Sequence, residues 1–291
     1  MTKASIGHAA RPTRAKLGQH FLRDTNAASR IIDALGDISQ RTVLEIGPGR
    51  GILTELLVAR ARRVIAIELD RVLAAQLRMK FAHTRNVEII EGDVLAIDFD
   101  TLFGPKPGTS RPGLSAEPEK VQVVGNLPYY ITSDILLKVF RYRRYFDTLV
   151  IMVQREVGDR IAADPGSRDY GLLSATAQLH ARVEHILGLA PGAFVPPPKV
   201  HSSVIRLTID SQAEKLGVAV DPFVSFLKLA FGQKRKTLWN NLKSRYNPEA
   251  LRDALADTRI KANVRAEALP LEKSAALFLS LEQNGNEGRE P

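Results

Sequence analysis

Four adjacent residues, Asn126, Leu127, Pro128 and Tyr129, end an apolar run in the stretch VVGNLPYYIT. They bring together a carboxamide, a ring that fixes its own φ and an aromatic face. Pro128 keeps Leu127 out of the helical region, so the turn stays open. In an open turn the Asn126 Oδ1 and the Leu127 backbone carbonyl are two acceptors for the two hydrogens of one amine, and the Tyr129 ring can stack on a flat heterocycle. Two such acceptors favour a more tetrahedral nitrogen and so free its lone pair from an aromatic ring. The chemistry this suits is alkylation of a ring-bound amine. Taken alone, a turn that merely closes a strand is the commoner reading of such a stretch.

Three further groups fall at comparable places. EIGPGRG, residues 45–51, stands between an apolar run and a helical pattern, where glycines let a ligand approach the backbone and a helix N-terminus offers unpaired N–H groups. Its spacing is G-x-G-x-G rather than the G-x-G-x-x-G of pyrophosphate binders, so Gly47 points to an adenosine-containing ligand more than to a dinucleotide. Roughly twenty residues on, Glu68 ends VIAIELD, where a carboxylate can accept both ribose hydroxyls. Asp93 ends the next apolar run, in EGDVLAIDF, and can accept from an exocyclic purine amine. Each has an ordinary reading as a tight turn or a solvated acid. Gly47, Glu68 and Asp93 at the tips of three consecutive strands form a convergent ligand edge.

These groups need a scaffold. TVLEIG, VIAIELD and VEIIEGD are apolar runs of strand length, and ILTELLVARARR and RVLAAQLRMKFA carry helical periodicity. Strands too apolar to alternate, separated by helices, predict a parallel sheet covered on both faces. GPKPGTSRPGLSAEPEK, residues 104–120, has no period and is expected to be a surface loop. GLLSATAQLH predicts a helix, and FVPPPKVHSSVIRLTI a stiff loop and then an alternating strand at the edge of the sheet. Past residue 210 only short helices are expected. The division is a flexible basic leader over 1–16, a catalytic domain over 17–210 that binds the adenosine-containing ligand, a helical domain over 211–283 and a disordered tail over 284–291.

Composition narrows the chemistry. There are no cysteines in 291 residues, which excludes disulfides, thiolate nucleophiles, Cys-ligated zinc and iron–sulfur clusters. His180 and His185 lack the i, i+4 spacing of a helical metal pair, so no metal is expected. Lys and Arg outnumber Asp and Glu 41 to 32, a formal charge of +9, which favours a polyanionic partner. No run approaches the roughly 20 apolar residues of a membrane span and no signal segment opens the chain, so a cytoplasmic location with no membrane contact is expected.

EIGPGRG, IELD, EGDV and GNLPYYI, in this order, resemble the S-adenosylmethionine-dependent methyltransferases. LGQHFL, VQREVGDRI, FVPPPKVHSSV and FGQKRKTLWNNL narrow the resemblance to the family that dimethylates two adjacent adenosines near the 3′ end of small-subunit ribosomal RNA. It covers the chain from about Lys16 to about Leu281. The resemblance implies an α/β fold, a Rossmann-like class I methyltransferase sheet with a small C-terminal all-α domain. S-adenosyl-L-methionine is the implied cofactor, held by His20, Leu22, Gly47, Glu68, Asp93 and Asn126. His20 stands where the family usually has Asn. The implied partner is 16S rRNA in the immature 30S subunit, late in its assembly, and a monomer is expected.

A sulfonium donor is already activated, so in-line alignment and fixed dipoles suffice and no strong base or metal is required. The base must first leave its stack. Phe194, in AFVPPPK, is either plain core or a second stacking face for that base. Lys234, Arg235 and Lys236, with Lys243 and Arg245 around one predicted helix, are expected to contact phosphates, with Trp239 in the core. Arg141, Arg143 and Arg144 would extend that patch, and Arg11, Arg14 and Lys16 would order on RNA. Competing readings are a large-subunit rRNA adenine methyltransferase of the macrolide-resistance type and a non-catalytic ribosome-assembly factor. A nicotinamide dehydrogenase is disfavoured because no Tyr-x-x-x-Lys pair occurs.

Overall fold

The computed structural model describes residues 19–104, 119–128 and 130–286, with side chains to 283. The leader, most of the 104–120 loop, Tyr129 and the last residues lie outside that set.

The chain opens with the two-residue strand β1 (Phe21–Leu22) and helix α1 (Thr25–Asp33), whose first turn is capped by Asp24 accepting from Ala27 N. Three strand–helix units follow: β2 (Thr42–Ile46) and α2 (Ile52–Arg60), β3 (Arg63–Glu68) and α3 (Arg71–Lys80), β4 (Val87–Glu91) and α4 (Phe99–Phe103). Next come β5 (Val121–Asn126) with α5 (Thr132–Arg141), β6 (Phe146–Gln154) with α6 (Arg155–Ile161), and α7 (Leu172–His180). Strands β7 (Ala181–Leu189), β8 (Phe194–Val195) and β9 (Ser202–Ile209) precede α8 (Ala213–Leu216), α9 (Val220–Ala230), α10 (Leu238–Leu242), α11 (Pro248–Asp257) and α12 (Leu271–Asn286).

The sheet has seven strands in the order β4-β3-β2-β5-β6-β9-β7. The strands from β4 to β6 run parallel, and β9 and β7 are antiparallel to their neighbours. Alternate residues feed two cores. Leu44, Ile65, Val123 and Ile151 face α4, α5 and α6, while Val43, Val64, Val124 and Val150 face α1 and α2. Burial on both faces explains why these strands read as continuous apolar runs.

One expectation is corrected. β9 is not an edge strand: it lies between β6 and β7, and its first four residues are buried. The edge is β7, from ARVEHILGL, whose interleaved Arg182, Glu184 and His185 mask its strand character.

A third core gathers Phe223, Phe226, Leu242, Leu251 and Phe278 of the C-terminal helices with Tyr170, Ala175 and Leu179. Helix α7 gives Ala177 to the sheet core and Ala175 and Leu179 to the helical one, so the helical layer is fastened to the sheet through shared apolar surface.

Candidate active site

Parallel strands place their C-terminal tips along one edge. Ile46 is in register with Ile67 and Gly125, Glu68 with Glu91, and Asn126 with Met152. Gly47, Glu68, Gly92–Asp93 and Asn126 therefore line one cleft, together with His20, Leu69 and Tyr130.

The glycine loop is a cradle that side chains would fill. Gly47 sits at φ 70° and Gly49 at φ 58°, and a Cβ on Gly49 would meet the Phe21 ring at 2.8 Å. The Arg50 guanidinium lies 4.8 Å from the centre of the same ring, which pins Phe21 over the loop.

Glu68 is only 3% exposed. Its Oε2 accepts from Gly49 N and its Oε1 from Asp70 N, both at 2.9 Å. Burial pushes its carboxyl above the usual range, and the two backbone donors oppose that rise. Each oxygen keeps a lone pair that a diol could use. Behind it Glu45, 1% exposed, accepts from Thr54 Oγ1 at 2.6 Å and is pushed up to about 8 by burial, with the nearby Glu68 charge adding to the rise. A neutral Glu45 spares the site a second buried anion. Asp93 is exposed on the cleft wall, and its Oδ1 accepts from Leu95 N at 2.8 Å, which orients the carboxylate.

The opposite wall is held by long-range contacts. Asn126 Nδ2 donates to the His20 carbonyl at 2.8 Å, leaving Oδ1 as the acceptor prong of the amide. His20 Nδ1 lies 2.8 Å from the Pro196 carbonyl, which can only accept, so that nitrogen carries the proton. Leu127 is buried and donates its N–H to Met152 O at 3.0 Å, and the Pro128 carbonyl accepts from Ile131 N and Thr132 Oγ1 at 3.2 and 3.1 Å. Tyr129 lies outside the described residues. Its neighbour Tyr130 is 61% exposed on the same wall.

Two expected site residues lie beneath the cleft rather than on it. Leu22 and Phe194 pair across β1 and β8 and are 7% and 1% exposed, packed with Val124, Met152 and Val204. Stacking by Phe194 is corrected to its plain core alternative: apolar neighbours enclose the ring, and no free face is left for a base.

The basic residues separate. Lys234, Arg235 and Lys236 are exposed in the loop between α9 and α10 rather than on a helix, and Lys243 and Arg245 follow α10. Lys234 Nζ donates to Arg168 O at 3.0 Å, tying this loop to the connection after α6, which leaves the tip of β6 beside Asn126. Trp239 packs against the helical core with Arg252 over its ring. Arg143 and Arg144 do not extend the patch. Helix α5 runs back from the cleft, so they precede β6 at its far end, where Arg144 pairs with Asp100 and Arg143 donates to Phe140 O at 3.4 Å. The leader cations lie outside the described residues.

Sequence reasoning passed over Glu45, Phe21, Leu69 and Tyr130. The acid inside the apolar run TVLEI was a readable sign of a buried functional carboxyl. Nothing local marked the Phe21 ring as the cover of a loop 28 residues away.

A glycine cradle, a buried acid at the next strand tip and an oriented acid at the third line one cleft on a class I methyltransferase sheet. The chain belongs to the ribosomal RNA adenine dimethylase family, whose model matches residues 10–283. The family is S-adenosylmethionine-dependent, and the cradle and the strand-tip acids fit that cofactor. The chain is 54% identical over 268 residues to the ribosomal RNA small subunit methyltransferase A of Koribacter versatilis, covering 92% of this chain and 94% of that protein. It is 41% identical to the protein of the same name from Geobacter metallireducens, over 91% and 94% of the two chains. A dimethyladenosine transferase from Plasmodium falciparum shares the fold, with a TM-score of 0.73 at 24% identity over 91% of this chain and 98% of that one. The 23S rRNA methyltransferase ErmE superposes with a TM-score of 0.64 at 26% identity, over 90% and 100%.

Proposed function

We propose that this enzyme dimethylates the N6 amines of two adjacent adenosines near the 3′ end of 16S rRNA, in the immature 30S subunit late in its assembly, acting as a cytoplasmic monomer. The observation that carries the reading is the meeting of the Asn126 turn with the Glu68 and Asp93 tips in one cleft. Identity of 54% to a small-subunit enzyme, against 26% to a large-subunit one, supports the choice of RNA. Among the described residues no helix is long and apolar enough to cross a membrane.

S-adenosylmethionine supplies a methyl group on a sulfonium, which leaves as a neutral thioether. The protein's own residues do the rest. Glu68 holds the ribose, Asp93 takes the purine amine, and Gly47 lets the ligand lie against the backbone. Asn126 Oδ1 and the Leu127 carbonyl accept the two hydrogens of the target amine, which turns its lone pair toward the methyl. His20 fixes Asn126 through its backbone, Leu22 holds β1 down, and the aromatic Tyr129 stacks on the extruded base. No buried acid or base at the turn is required, because the ammonium formed loses its proton readily to water. Residues 17–210 carry this chemistry, and the helical layer over 211–283 presents Lys234, Arg235 and Lys236 to RNA phosphates.

Incubating the purified enzyme with labelled cofactor and immature 30S or 50S particles, followed by mass spectrometry of the RNA, tests the reading. Two methyls on each of two neighbouring adenosines of 16S rRNA is the expected result. Label on 23S rRNA alone would transfer the protein to the macrolide-resistance type, and label on neither would leave an assembly factor.

A further inference from the structure

Lys138 is a half-buried cation that the chemistry above does not use. It lies on α5, the helix that springs from the Asn126 turn and lines the cleft with Ile131 and Ile135. Its ammonium ends on two backbone carbonyls, Leu95 O at 2.9 Å and Ile97 O. The Phe99 ring lies beneath it, 4.8 Å from Nζ to the centroid.

Those carbonyls belong to the short loop that begins at Asp93. Within the loop, Leu95 N donates to the Asp93 Oδ1, and Ala96 N and Ile97 N donate to the Asp93 carbonyl at 2.9 and 3.1 Å. One turn further along α5, Tyr142 Oη donates to Asp98 at 3.2 Å, at the far end of the same loop. Burial holds the Lys138 amine below its usual range, opposed by the charges of Asp93 and Asp98. A surface lysine would reach for water. This one directs its donors to the backbone behind a ligand-binding carboxylate.

We propose that Lys138 is a positioning residue for purine recognition. By holding the Leu95 and Ile97 carbonyls it aims the Asp93 carboxylate at the exocyclic amine of the bound nucleoside, and through α5 it ties that carboxylate to the Asn126 turn. The proposal rests on the reading of Asp93 given above.

The test uses the full-length protein and measures dissociation constants for S-adenosylhomocysteine and for S-inosylhomocysteine, in which the purine amine is replaced by a carbonyl. The wild type is expected to prefer the adenosyl compound by about tenfold or more, as one hydrogen bond to a charged group allows. Lys138→Met should lose most of that preference, and Lys138→Gln, which keeps an uncharged donor group, should lose part of it. Asp93→Ala should abolish it. If Lys138→Met and Lys138→Gln melt lower but keep the full preference while Asp93→Ala has lost it, Lys138 is only structural and the inference falls. If Asp93→Ala keeps the preference, the reading of Asp93 falls and the inference with it. Should the methionine variant not fold, an unchanged preference in Lys138→Gln is enough to overturn the proposal.

Discussion

The two walls of the cleft are built by different means. On the nucleoside wall the acids are oriented by nearby backbone: Glu68 by Gly49 and Asp70, Asp93 by Leu95. On the opposite wall Asn126 is held by His20, which is 106 residues away, and His20 by Pro196, 176 residues from it along the chain. The first wall is therefore preformed wherever its strand–loop–helix units fold. The second exists only when β1, β5 and the chain after β8 have come together. An enzyme that must admit a base extruded from RNA gains from this division, because the nucleoside wall can stay rigid while the other adjusts.

The largest expected difference between the walls is in turnover. Asn126→Ala should cut kcat by about a hundredfold to a thousandfold or more, the scale of removing one transition-state acceptor or donor. Cofactor affinity should stay within a few fold, and single-turnover methylation beside calorimetric titration separates the two. Normal turnover in this variant would remove the amide from the mechanism.

Glu68→Gln should act in the opposite sense. It weakens cofactor binding by about tenfold to a hundredfold through its charged hydrogen bonds, with kcat at saturation changed little. A comparable loss from both variants in both constants would erase the distinction between the walls.

Replacing Lys234, Arg235 and Lys236 together with alanine should leave both walls intact and reduce the slope of log K against log salt for RNA binding by about one for each phosphate that is no longer neutralised. An unchanged slope places the RNA elsewhere.

The effects on stability leave binding and turnover aside, and they have opposite signs with pH. Buried His180 is held down to about 4 by burial and by Arg143, and the unfolded chain binds that proton more readily. Its contribution is therefore lost as pH falls from about 6.5 toward 4, at up to about 1.4 kcal/mol per unit. Glu45, raised to about 8, is protonated in the fold, and its contribution is lost as pH rises from 4.5 through 8. Melting curves across pH should show Glu45→Gln gaining on the wild type above pH 8, and His180→Gln gaining below pH 6. Parallel curves at all pH values would show that neither group is buried as described.

The nucleoside wall was legible in the sequence because each part is short-range. EIGPGRG, IELD and EGDV carry the strand, the turn and the acid within a few residues of each other, and the apolar runs announce a sheet buried on both faces. The turn at Asn126 was legible for the same reason, since Pro128 and its neighbours mark the end of the strand within a few consecutive residues. Phe194 was ambiguous, because a phenylalanine before a proline loop looks alike whether its ring faces a base or Met152 and Val204. The edge strand β7 was missed because its polar alternation is matched to a partner strand that periodicity cannot name.

Backbone hydrogen bonding and hydrophobic period act over a few residues, so the amino-acid order alone was enough for the strand tips, the glycine cradle and the acids beside them. Packing decided the rest. The Phe21 cover, the His20 tether on Asn126, the separation of Arg143 and Arg144 from the basic loop and the place of Lys138 behind Asp93 all join residues far apart in the chain. No local propensity encodes such contacts; they follow from how two apolar layers close over one sheet.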